Sequence, residues 1–445
     1  ITSAAMSQDG KRLYLLNHDK VCEISGFEND NFFKGKITSI PFDHNTQKEG
    51  VFEINNTQAV LVQFAFFGAY GLLSIPAGNL LHKIGYKKGI MLGLGIMGFG
   101  ALLFLPAASF RVFALFMLGY FILAAGMVIL QVAANPYVAA LGDERTASSR
   151  LNLAQAFNSL GTTIAPILGA VFILSDDIKS SEEIKALSGS AKEMYFSAEA
   201  AAVQMPFLVL AISLLVLAVV VFKAKLPQLL SAAVGSNYMQ ALKHKQLSLG
   251  VVGIFFYVGA EVAIGSFLVN YFLDLELANV IRNNGLMSSI ASLFHGDDLT
   301  GIDDKGIVGS FNVLYWGGAM VGRFVGSYLT RKYQAQKVLS VFASAAILMV
   351  VISISTSGLV ALWAIIAVGL FNSIMFPTIF SLAIEGLGEL KPQGSGLLCT
   401  AIVGGAFIPP LVGYFSDLSG FKVAFILVII CYAYIFFFSK KVKSL

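Results

Sequence analysis

Apolar residues in this chain run in blocks rather than alternating. From Thr57 to the C-terminus the blocks last roughly 20 residues or more, the length a helix needs to cross a bilayer, with short polar turns between them. The pattern predicts eleven spans, near 57–81, 89–107, 112–141, 148–174, 201–222, 247–273, 306–330, 336–354, 359–387, 394–416 and 421–439. Helices are the expected form, because a chain in lipid must satisfy its backbone hydrogen bonds internally. Residues 1–56 hold no apolar run of that length and read as an atypical polar N-terminal segment.

Inside these blocks some positions carry amides where a lipid-facing helix would carry leucine. The stretch from Gln131 to Gly169 holds Gln131, Asn135, Asn152, Gln155 and Asn158 on two predicted spans joined by one charged turn. Gln131 and Asn135 are spaced i,i+4, while Asn152, Gln155 and Ser159 are spaced i, i+3, i+7, so each set shares a helix face. An amide in hydrocarbon is costly unless it meets a partner or a polar cavity. Two readings stand at this point: amides that bind a polar solute between helices, or amides that bond neighbouring helices to each other. Asn135, beside Pro136, also suits the backbone carbonyl that a proline frees.

Composition agrees with the membrane reading and removes other classes. Of 445 residues 56% are hydrophobic and 13% charged, against about 25% charged in a soluble domain. The formal net charge of +4 resides in short turns, which gives no nucleic-acid footprint. Cys22, Cys399 and Cys431 match neither a zinc spacing nor a disulfide framework. No P-loop, nucleophile elbow or His/Glu metal constellation occurs, so an enzyme, an ATP-driven engine, a cofactor and a metal site are not expected.

The turns orient the spans. His82, Lys83, Lys87 and Lys88 follow the first, Arg145 and Arg150 the third, Lys223, Lys225, Lys243 and Lys245 the fifth, and Arg331, Lys332 and Lys337 the seventh; Lys440, Lys441 and Lys443 close the chain. Alternate turns are acidic or nearly uncharged, with Asp176, Asp177, Glu182 and Glu183 in one and Asp297, Asp298, Asp303 and Asp304 in another. The basic turns are therefore expected on the cytoplasmic side.

The sequence also repeats itself. GNLLHKIGYKK begins at Gly78 and GSYLTRKYQ at Gly326, 248 residues apart; Pro136 and Pro377, each five residues after an amide, lie 241 apart; PILG at Pro166 and PLVG at Pro410 lie 244 apart. Three features in one order at nearly one offset indicate a duplicated six-span unit. The expected organisation is a bundle over 57–222, a linker over 223–246 and a complete second bundle over 247–445, with the first bundle lacking its opening helix. Glu261, in GVVGIFFYVGAEVAIGSFLVNY, is the one carboxylate near the middle of a span, which makes it a candidate for cation coupling, or else a static paired acid.

These motifs resemble the major facilitator superfamily. LQVAANPYVAALG, SRLNLAQAFNSLG, YVGAEVAIGSFLVNY and FNSIMFPTIFSLAIEGLG are similar to the fucose–galactose–glucose:proton symporter family, nearest its glucose/galactose branch, from about residue 50 to the C-terminus. The resemblance implies an all-α integral membrane fold of two six-helix bundles in a bacterial inner membrane, acting as a monomer. The implied function is hexose uptake coupled to a proton or sodium ion. It assigns sugar binding to Gln131, Gln155 and Asn158, with Asn135 and Asn372 as weaker candidates, beside Glu261 as the coupling candidate that its mid-span position makes it. It assigns gating to Gly78, His82, Gly85 and Lys87 and to Gly322, Arg323, Gly326 and Arg331.

Three departures from the family follow. Residues 1–48 do not resemble the family's first helix, which supplies an Asn/Asp pair to the sugar and proton path; an altered 5′ reading frame is the explanation favoured by the odd span count and the initial Ile1. Gln131 stands where the fucose branch has a titratable glutamate, and His82 where the superfamily turn carries an acid. The alternatives are a sensing, binding or inactive relic without the first helix, and a symporter of fucose or another sugar.

Overall fold

The computed structural model describes the backbone of residues 3–6, 12–16, 20–25, 36–41, 56–110, 112–172, 189–227, 229, 238–296, 299 and 301–442, and side chains from residue 64 onward apart from 165–172, 192–193, 196 and 199–202. Of the turns named above, Asp176, Asp177, Glu182, Glu183, Asp297, Asp298 and Lys443 lie outside the described residues. The chain divides into two units, residues 1–60 with 179–196 and residues 61–178 with 197–445.

No span is expected within residues 1–56 of the first unit. Its polar N-terminal segment forms an antiparallel sheet in the order β1 (Ser3–Met6), β2 (Arg12–Leu16), β3 (Lys20–Ser25) and β4 (Lys36–Pro41). Leu15 pairs with Ala4 and with Cys22, and Cys22 pairs in turn with Ser39. Runs such as RLYLL and KITSIP are too short to span lipid, but they carry the β-branched and aromatic residues that suit a half-buried strand.

The remainder is helical, as the apolar blocks require. In the first half, α1 runs Asn56–Leu102, α2 Phe104–Phe110, α3 Phe113–Ala140, α4 Ala147–Phe172 and α5 Gly189–Lys223. Then come α6 (Tyr238–Lys243), α7 (Lys245–Asp274) and three short helices, α8 (Leu277–Arg282), α9 (Gly285–His295) and α10 (Asp304–Gly309). They are followed by α11 (Asn312–Lys332), α12 (Ala335–Ser355), α13 (Gly358–Asn372), α14 (Met375–Ile384), α15 (Lys391–Thr400), α16 (Gly404–Ser419), α17 (Phe421–Ala424) and α18 (Ile426–Lys441).

The boundaries differ from the sequence pattern in several places. The first two predicted spans share the 47-residue α1, and only Gly85 interrupts it, with φ 78° and ψ 166°. A helix of that length extends about 70 Å, more than twice the ~30 Å hydrocarbon core, so the break at Gly85 converts one long apolar run into two crossings. α5 starts twelve residues before the predicted span at 201, and the span expected from 306 divides into α10 and α11.

Among the described residues, eight helices are long and apolar enough to cross a membrane, the stretch Phe64–Phe110 being one of them. α4 and α11 are not among the eight, and these two pack along each other more extensively than any other helix pair. Small residues make that approach possible. A Cβ at Gly326 would collide with Ile374, and one at Gly322 with the Leu370 carbonyl and Ser373, so both glycines let α11 lie close against α13 and α14. Much of the buried core belongs to the second half, where Tyr257, Tyr271, Tyr315 and Tyr432 are fully buried among Phe272, Phe311 and Phe425.

Candidate functional site

Side chains that sequence reading singled out separately meet around Arg323. The pattern put this arginine in a gating motif; its position on α11 places it against three other elements. Its Nη2 lies 3.8 Å from Glu261 Oε1 on α7, with both side chains nearly buried, 11% and 14% exposed. Its Nε donates to the Ser373 carbonyl at 3.1 Å, between α13 and α14. Its Nη1 donates to the Gln155 carbonyl at 3.2 Å and to Ser159 Oγ, both on α4. One guanidinium thus reads a carboxylate in the second half and a polar helix face in the first. A fixed planar fork of donors makes Arg suited to this, where Lys would bind as a point charge. The pairing joins positions 62 residues apart, so no local pattern signals it.

The amides fall into two groups. Asn152 and Asn372 are fully buried and engaged through Nδ2, while Oδ1 of each has no protein partner. Asn152 Nδ2 donates to the Ser148 carbonyl at 2.8 Å and, across the halves, to Thr378 Oγ1 at 3.1 Å. Asn372 Nδ2 donates to the Tyr315 hydroxyl at 2.8 Å and the Tyr432 hydroxyl at 3.3 Å, so it knits α11, α13 and α18 within one half. Among the described residues, the other group makes no cross-helix hydrogen bond through its amides. Gln131 Oε1 and Asn135 Nδ2 on α3 are buried atoms without a protein hydrogen bond. The Gln155 side chain is half-buried and that of Asn158 exposed. An unsatisfied amide or hydroxyl inside a membrane protein costs on the order of 1–3 kcal/mol, which a solute carrying hydroxyls would offset.

Around this centre the halves are sutured mostly by uncharged groups. Ser148 and Ser381 share a hydroxyl–hydroxyl bond of 2.6 Å, Ser149 Oγ donates to the Ser327 carbonyl at 2.7 Å, and Ser395 Oγ donates to the Val132 carbonyl at 2.8 Å. Among the described residues, one ion pair joins them, Lys391 Nζ to Glu144 Oε1 at 2.8 Å. Glu144 sits in the basic turn after α3, so these contacts gather toward the end of the molecule that carries basic turns.

The remaining motif residues do structural work nearby. A Cβ at Gly78 would come within 2.6 Å of the Tyr238 hydroxyl and 2.9 Å of the Pro392 carbonyl, where α1, α6 and α15 meet. Lys87 Nζ donates to the carbonyls of Phe222 and Ala224, each at 2.8 Å, and so satisfies the C-terminal end of α5. His82 lines a cavity beside lysines, and Arg331 a separate one near Glu144 and Glu385.

Known proteins carry the same design. The family description "Major Facilitator Superfamily" matches residues 40–402. A glucose/galactose transporter of Brucella abortus (strain 9-941) is 47% identical over 394 residues, 88% of this chain and 86% of that protein. The L-fucose-proton symporter of Escherichia coli (strain K12) is 33% identical over 408 residues, 88% of this chain and 87% of its own length. Among solved structures, the Major Facilitator Superfamily transporter FucP in its outward conformation aligns with a TM-score of 0.78 at 32% identity, covering 90% of this chain and 93% of that one. With most of its length matched in sequence and in fold, the chain belongs to the Major Facilitator Superfamily and, within it, to the fucose–galactose–glucose:proton symporter family.

Proposed function

We propose that this chain is a secondary active transporter of a bacterial inner membrane. It takes up a hexose such as glucose or galactose together with a proton or sodium ion, by alternating access between bundles at 57–222 and 247–445. The observation that carries this reading is Arg323, held to Glu261 on one side and to the Gln155–Ser159 face of α4 on the other.

The chemistry follows from those contacts. Primary amides donate and accept at once, as sugar hydroxyls do, so Gln131, Gln155 and Asn158 suit a polyol; Asn372 has only its Oδ1 free, and Asn135 has an unpartnered Nδ2. Ionised Glu261 attracts Arg323 across 3.8 Å with on the order of 4 kcal/mol at an effective dielectric near 20, against about 1 kcal/mol for an ordinary hydrogen bond. A cation arriving at Glu261, whether a proton on its carboxylate or a sodium ion beside it, cancels that attraction. Arg323 is then released toward α4, and the balance between the two halves shifts. The state described here is closed at the basic-turn end, which on the positive-inside rule is the cytoplasmic side.

Uptake of labelled glucose, galactose and fucose into vesicles, with a proton or a sodium gradient imposed separately, tests the reading. Accumulation of a hexose under one gradient supports it; no accumulation of any of the three under either gradient overturns it.

A second reading is a protein that binds a sugar without moving it. Its support is the four-stranded sheet in residues 3–41, where the family's first helix with its Asn/Asp pair would be looked for. Saturable hexose binding without counterflow would select this reading.

A further inference from the structure

The turn at Gly85 and the exit of α5 enclose a cavity of about 400 Å³ that the transport site does not use. Lys83, Lys87 and Lys88 line one wall and Lys223 and Lys225 the other, with His82 beside them and no carboxylate among the lining residues. The two walls are pinned together, because Lys87 spends two donors on the Phe222 and Ala224 carbonyls. Lys83, Lys88, Lys223 and Lys225 are exposed, and no hydrogen bond or ion pair of theirs occurs among the described residues. Four unneutralised ammonium groups facing one preformed hollow call for an anion.

What lies next to the hollow says which anion. Lys88 also begins a shallow apolar groove of about 480 Å³, continued along the same helix by Met91, Leu92, Gly95, Ile96 and Phe99. Steps of three and four residues keep these positions on one face, and Leu92 and Phe99 are 38% and 55% exposed. The groove is open at its centre because position 95 has no side chain; a Cβ there would meet no atom within 4 Å. From residue 88 to residue 99 the helix rises about 16 Å, close to half of the ~30 Å hydrocarbon core and therefore about one leaflet. A cationic hollow at the membrane edge that opens into one leaflet's depth of apolar groove has the polarity of a phospholipid. A free phosphate or a soluble phosphorylated metabolite would leave the groove unused.

We infer that this is a binding site for one anionic phospholipid, with its phosphate and anionic headgroup among Lys83, Lys88, Lys223 and Lys225 and one acyl chain along Met91 to Phe99. Its place gives it a consequence. It bridges the turn after the first span and the end of α5, where the first bundle passes into the linker, so an occupied site braces the first bundle at its cytoplasmic edge. A lipid with a neutral headgroup gains nothing from the lysines, and selectivity for negative headgroups follows.

Native mass spectrometry of the purified full chain, released from nanodiscs of phosphatidylethanolamine containing a minor fraction of phosphatidylglycerol, tests this. The expected result is one retained phosphatidylglycerol, enriched at least tenfold over its share of the bilayer. Enrichment should disappear in Lys223→Gln/Lys225→Gln, persist in Lys223→Arg/Lys225→Arg, and persist in Lys243→Gln/Lys245→Gln, which removes two cations outside the cavity. Gly95→Leu fills the groove and leaves every lysine in place; it should also abolish retention, while inorganic phosphate should not compete. Equal retention of the two lipids overturns the inference, as does equal loss on removing Lys243 and Lys245. Full retention in Gly95→Leu, or displacement by millimolar inorganic phosphate, would reduce the cavity to a simple anion pocket and overturn the lipid assignment.

Discussion

Arg323 on α11 lies 3.8 Å from Glu261 on α7 and at the same time donates to the Gln155 carbonyl and Ser159 Oγ on α4. The acid and the base belong to one half of the molecule and the second contact to the other. A change of charge at position 261 is therefore felt at the contact between α11 and α4.

Replacing Glu261 by Gln should separate binding from coupling. The amide keeps the shape and loses the charge, so Arg323 stays with α4 whatever the cation concentration. Gradient-driven accumulation is expected to fall at least tenfold, with the dependence of uptake on external pH or sodium flattened, while hexose exchange at equal concentrations on both sides persists. Unchanged accumulation in vesicles would remove Glu261 from the coupling step.

Arg323→Lys should be poorly tolerated although it preserves charge. A lysine cannot reach Glu261, Ser373 and Ser159 with one planar fork. Transport in this variant is expected to fall about as far as in Arg323→Ala, with the protein still folded by thermal melting in detergent.

The seam itself can be caught. Ser148 Oγ and Ser381 Oγ are 2.6 Å apart on α4 and α14, so Ser148→Cys/Ser381→Cys should crosslink under mild oxidation. The crosslink is expected to stop uptake and a reductant to restore it. Peptide mapping identifies the bond, because Cys399 and Cys431 are buried and unpaired.

Asn372→Ala should act on stability before it acts on affinity. It strands the hydroxyls of the fully buried Tyr315 and Tyr432, a loss of about 1–3 kcal/mol. Gln131→Ala, which removes an amide oxygen without a protein partner, should do the reverse and weaken hexose binding with little change in melting temperature.

Tyr238 donates its hydroxyl to the Ile75 carbonyl at 2.6 Å, and burial pushes its phenol up to about 12. A raised phenol stabilises the folded state fully below the unfolded value of 10 and loses that contribution as pH climbs through about 12. This contact is therefore constant between pH 5 and 9. Tyr238→Phe should lower the melting temperature without changing the shape of the uptake–pH profile, and a changed profile would place a titration at this contact.

The spans were legible in the sequence because the requirement they meet is local. A run of about 20 apolar residues in lipid has to be helical, and basic turns mark its ends without reference to any other part of the chain. The same holds for Glu261, whose cost in the middle of a span is visible from its neighbours alone. Tertiary structure decided which polar groups are used up and which are free. Asn152 and Gln155 share one helix face, yet the first gives its Nδ2 to Thr378 and the second offers its carbonyl to Arg323, because only packing brings residues more than 160 positions away against that face. It also decided that Gly85 breaks a continuous helix and that residues 3–41 pair as strands. Glycine's freedom permits a break without requiring one, and a strand exists only when a partner strand lies beside it.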